Sequence, residues 1–196
     1  ELRALAAGAP SDYRLRNNIA WLIAKTPPLC YFDAELAVEL AEQAVALKPQ
    51  EPSLLNTLGL AYYRADRYAD ARGALEKSVF SATSAPEMLD RGLYSVRNPA
   101  AGGEGTCFDW LLLAMVHNRL GNDPEACLWY DQAAKWMDKG ENRAVMMVNH
   151  IEDDAKAFRR EAEGLLGITD SGNNRTTRTN DIKATATPLA ARPATE

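Results

Sequence analysis

The sequence predicts an all-α fold: three antiparallel helix pairs followed by a C-terminal capping helix. Two observations carry this. First, Leu55, Leu58, Gly59 and Tyr62 recur at i, i+3, i+4 and i+7, Ala65–Tyr68 interrupts them, and Ala71, Ala74, Leu75 and Ser78 mark a second helical face. Second, the pattern repeats. Moving back by 34 residues places Trp21 at Leu55, Ala37 at Ala71, Ala41 at Leu75 and Ala44 at Ser78, with Pro49 as the closing proline. Moving forward, the register returns at 55 residues. Leu55 becomes Trp110, Leu58 Leu113, Gly59 Ala114, Ala71 Ala126, Leu75 Tyr130 and Ser78 Ala133. A single hairpin cannot bury its own apolar face, so copies in one register are what stacking requires.

In chain order, Glu1–Ala7 reads as the end of a helix that begins upstream, and residues 1–10 as a remnant of it. Pro10-Ser11-Asp12 is a stop and a start. The first helix of the first pair runs from Tyr13 to Lys25 with Leu15, Asn18, Ile19, Leu22 and Ile23, and Pro27-Pro28 ends it. Asp33 caps the next helix, Ala34 to Leu47. Pro52 suits a first helical turn. The second pair ends with a helix from about Ala69 to Phe80. Residues 81–106 form an insertion, in which Pro86 to Val96 has an apolar side (Met88, Leu89, Leu93, Val96) fit for a short docked helix, while Ala100–Gly105 reads as a flexible linker.

The third pair covers Phe108–Leu120 and Pro124–Lys139, with Asp123 as N-cap and Gly140 as C-cap. The pattern leaves open whether Asn142–Asn149 forms a helical turn. Asn149 and Glu152 fit a capping box for a last helix, 149–166, with Ile151, Ala155, Phe158, Ala162 and Leu165 on its apolar stripe. Residues 168–196 hold little that is apolar and read as a disordered tail.

Composition narrows the function classes. Of 196 residues, 46% are hydrophobic and 25% charged, as in ordinary soluble domains. A net charge of −5 without clustered cations argues against nucleic-acid binding. No apolar run approaches the roughly 18 residues of a membrane helix. Three cysteines (Cys30, Cys107, Cys127) show no disulfide spacing and read as reduced thiols of a cytoplasmic protein.

Catalytic and metal chemistry have no foothold. His117 stands at the repeat position of Tyr62 and reads as a packed or half-buried residue; His150 reads as solvated. Neither has a Cys, Asp or Glu at ligand spacing. Glu152-Asp153-Asp154 diverge around a helix start. The Gly102-Gly103 stretch lacks the preceding strand and following Gly-Lys-Ser/Thr of a phosphate loop. No metal, cofactor or enzymatic activity is expected. Trp110 reads as core, and Trp129 and Trp136 as partly exposed.

The order L-x2-L-G-x2-Y, then A-x3-L, resembles the tetratricopeptide repeat (TPR) family, with repeats at about 18–51, 52–85 and 107–140 in a domain spanning 11–167. Asn17–Ala24, Phe108–Met115 and Phe158–Gly167 are similar to C-terminal TPR modules of large multidomain bacterial proteins, often serine/threonine protein kinases, although no kinase residue is present. The resemblance implies a solenoid of pairs stacked in sequence, whose concave groove holds a peptide or partner segment. It places Ser53, Asn56, Leu60, Tyr63 and Arg64 of the second repeat in that groove. From the third it places Phe108, Leu111, Met115, Asn118 and Arg119, and from the first Ile19, Leu22 and Thr26. Chaperone-binding relatives clamp a carboxylate with Lys and Asn. Leu22, Leu60, Phe108 and Leu112 stand where such polar groups would be wanted, so the expected floor is apolar with Arg64 and Arg119 at a rim. The implied function is a non-catalytic recruiting or regulatory scaffold that binds a protein, a peptide or another domain of its own parent chain. The alternative is a self-association module acting through the last helices or the insertion.

Overall fold

The computed structural model describes residues 2–9, 11–25, 33–84, 106–148 and 151–168. All regular elements among them are helices: α1 (Leu2–Ala7), α2 (Tyr13–Lys25), α3 (Ala34–Leu47), α4 (Pro52–Arg64), α5 (Tyr68–Ser84), α6 (Cys107–Arg119), α7 (Asp123–Met137), α8 (Gly140–Val148) and α9 (Glu152–Leu166). The chain divides into two compact units, Glu1–Tyr94 and Ser95–Glu196. Among the described residues no helix is long and apolar enough to cross a membrane.

In the first unit α2 packs on α3, α4 packs on both of them, and α5 folds back along α4. Asp33 begins α3 as expected: its carboxylate accepts from the Leu36 amide at 2.8 Å. Small residues of α2 and α3 (Ala20, Ala24, Ala37, Ala41, Ala44) are almost fully buried. Arg16 is the buried charge of this pair. Its guanidinium donates to Gln43 Oε1 at 2.9 Å and to the Ala9 carbonyl at 2.6 Å, so it ties the segment before α2 to α3.

The α4–α5 contact depends on Gly59. A Cβ built there would lie 2.5 Å from Leu75 Cγ, far inside van der Waals contact, and Leu75 is fully buried. At the closed end of this hairpin the Arg67 amide donates to the Tyr62 carbonyl at 2.9 Å and the Asp66 amide to Tyr63 at 3.2 Å. This is a Schellman termination, with Asp66 in the left-handed region at φ 58°. At the open end Ser78 Oγ donates to the Pro52 carbonyl at 2.9 Å.

The second unit repeats these bounds. Cys107 corresponds to Pro52, Arg119 to Arg64 and Asp123 to Tyr68, each 55 residues on. The turn repeats as well. The Asn122 amide donates to the His117 carbonyl at 2.8 Å and Gly121 to Asn118 at 3.0 Å, with Gly121 at φ 75° where Asp66 stood. Ala114 and Tyr130 occupy the places of Gly59 and Leu75, and both are buried. Around α6 pack α7 and α9, while α8 touches α7 and α9 lightly.

Several boundaries differ from the sequence reading. Helix α5 runs to Ser84, so the irregular stretch begins later than residue 81. Helix α7 starts at Asp123, after Asn122, because the Schellman turn fixes the reversal one residue earlier. Gly140 does not cap α7: Asp138 does, in a right-handed conformation, and Gly140 opens α8. Most of Asn142–Asn149 is therefore helical. Helix α9 begins at Glu152 after Ile151 with no side-chain cap, so Glu152 cannot be the third residue of a box started by Asn149. One cap escaped the sequence reading. Thr106 accepts from the Asp109 amide at 3.2 Å while Asp109 accepts from the Thr106 amide at 2.8 Å, a reciprocal capping box that starts α6. Residues 85–105, with the expected docked helix Pro86–Val96, lie outside the described residues, as do Asn149 and 169–196.

Two stability predictions follow from this packing. Ala at Gly59 gains about 1 kcal/mol of helix propensity. It forces Leu75 to shift, at about 1–3 kcal/mol. Gly59→Ala should therefore lower the melting temperature and Gly59→Leu should lower it further. Leu75→Ala combined with Gly59→Ala should cost less than the sum of the two single changes, and additive losses would refute the interlock. Trp110, with no exposed surface, should cost about 3–5 kcal/mol on replacement by Ala; an unchanged denaturation midpoint would count against its core role.

Candidate partner-binding surfaces

The residues that the repeat register assigns to a groove fall into an accessible set and a closed one. On α4, Ser53 is exposed, its hydroxyl donating to Glu51 Oε1 at 3.2 Å. Asn56 and Tyr63 are largely buried and Leu60 is fully so. Leu54 to Ala61, polar Asn56 and Thr57 included, is buried without a break, because α2, α3 and α5 all pack around α4. Tyr63 packs its ring 5.8 Å from that of Tyr68. Arg64 lies 5.4 Å over the Tyr63 ring and donates from Nε to the Ala24 carbonyl at 2.9 Å. It thereby satisfies a carbonyl in the last turn of α2, where a cation also meets the negative end of the helix dipole. Sequence reasoning made Arg64 a rim cation for an acidic ligand; its Nε serves α2 instead.

On α2, Ile19 is buried, Leu22 is 56% exposed and Thr26 lies outside the described residues. On α6, Phe108, Leu111, Leu112 and Met115 are buried, the last three completely, as is everything from Cys107 to His117. Leu111 and Met115 therefore present no floor to a ligand. Only the polar end of α6 remains accessible. There Asn118 is half-exposed with its amide 3.4 Å from Asp123 Oδ1, and Arg119 is exposed. Trp136, expected partly exposed, is 7% exposed and packs edge-on to Trp110 at 6.4 Å between ring centres. Trp129 is half-exposed and His117 is buried. Among the described residues, the large apolar side chains that face solvent are Leu2, Leu5, Leu22, Leu47 and Phe80 in the first unit and Met147 in the second.

Two polar clusters fasten the helices. In the first unit, Tyr62 donates to Glu42 Oε1 at 2.8 Å and Arg67 lies 4.3 Å over the Tyr62 ring. Arg67 also pairs with Asp70 at 2.9 Å and Glu42 at 3.6 Å. Burial, and then the Glu42 hydrogen bond, push the Tyr62 phenol up to about 12. In the second unit, Tyr130 donates to Glu163 Oε1 at 2.5 Å. Arg159 reaches the same oxygen at 3.0 Å and Asp138 at 2.7 Å. Burial, with the Glu163 bond second, raises Tyr130 to about 12. Burial opposes the Arg159 charge, but its hydrogen bonds to Asp138 and Glu163 outweigh that and hold its pKa above the usual value.

Among the described residues no group of three His, Cys, Asp or Glu side chains is placed to hold a metal ion. No disulfide joins Cys107 and Cys127. Burial, with Asp109 second, pushes the Cys107 thiol up to about 12.

Compared with known proteins, the chain matches no family model and no curated protein.

The Tyr130 shift predicts an alkaline signature. A phenol raised from 10.0 to about 12 in the folded state keeps its stabilisation below pH 10 and loses it as pH rises toward 12. Melting temperatures of wild type should fall through this window more steeply than those of Tyr130→Phe. Parallel curves would show that the Tyr130–Glu163 bond carries no linkage.

Proposed function

We propose that the chain is a non-catalytic TPR-type scaffold, a cytoplasmic recruiting or regulatory arm that binds a protein or peptide segment along its first-helix faces. The observation that carries this is the shared register of α4–α5 and α6–α7. Helix bounds, Schellman turns and the facing small-and-large pair recur at corresponding residues in both hairpins. A hairpin repeated with its hydrogen bonds in register is a stacking unit, and stacked units are used as binding surfaces. With the apolar floor closed, the expected groove residues that stay accessible include Leu22 and Ser53 in the first unit and Asn118 and Arg119 in the second. In the first unit Leu22 supplies an apolar anchor, and the partner segment that fits it is one with an apolar side chain. The second unit, taken by itself, offers Arg119 as a cation able to pair with a carboxylate in two-pronged fashion. An intramolecular segment of a larger parent chain with the same chemistry would serve equally.

The experiment places a photo-crosslinking residue at Leu22 or, as a control, at exposed Glu76 on α5. Position 22 should capture a defined partner that position 76 does not, and Leu22→Asp should abolish capture by a crosslinker at Ser53 without changing the melt. Equal capture at 22 and 76 would defeat the first-helix surface.

A further inference from the structure

We draw no further inference here: the strongest candidate, the buried donor cluster of the second unit formed by the Trp110 and Trp136 indole N–H groups of α6 and α7 with the Gln132 side-chain amide one helical turn from Trp136, carries none because nothing among the described residues shows what would accept from it.

Discussion

The close approach of α4 to α5 at Gly59 is the constraint on which the first unit depends. With no side chain at Gly59, Leu75 sits directly against the α4 backbone. That contact sets the hairpin's spacing, and the spacing aligns both ends: Arg67 reaches the Tyr62 carbonyl across the turn, and Ser78 reaches Pro52 at the open end. A larger residue at 59 would separate the helices and strain both closures together. The second unit meets the same need with Ala114 and the flat ring of Tyr130, whose hydroxyl then reaches outward to Glu163.

How much was legible in the sequence depended on what each residue had to satisfy. The starts of α2, α3 and α4 came out to the residue, because Asp33 and Pro52 act through their own backbone neighbourhood. The α6–α7 reversal was off by one at its helix start, and α9 by three, because those ends are set by turn hydrogen bonds rather than by a capping side chain. The Thr106–Asp109 box could have been read from its threonine and acid three apart.

The candidate site was less legible than the fold. Repeat position alone put Leu60, Leu111 and Met115 on a ligand-facing surface, yet their own apolarity is what draws them into the interior. On a helix such as α6, with leucine or methionine on every side, position in a repeat and accessibility separate. Arg64 shows a different gap. A cation near a helix end suggested a ligand, whereas the nearest unmet acceptor was the Ala24 carbonyl, supplied by a helix 40 residues earlier in the chain. Only the packing of α2 against α4 brings these two groups together.

The bond from Ser78 to Pro52 has a kinetic meaning. In α3 and α7 the corresponding places are Ala44 and Ala133, which have no hydroxyl to give. The α4–α5 hairpin combines a Schellman turn at one end with a side-chain closure at the other, across 26 residues of chain. Contacts of such short separation form early, because little loop entropy is lost in making them. As a chain emerges during synthesis, this hairpin can zip shut once Ser78 is free, before any of the second unit exists, and offer α2 and α3 a formed surface on which to condense.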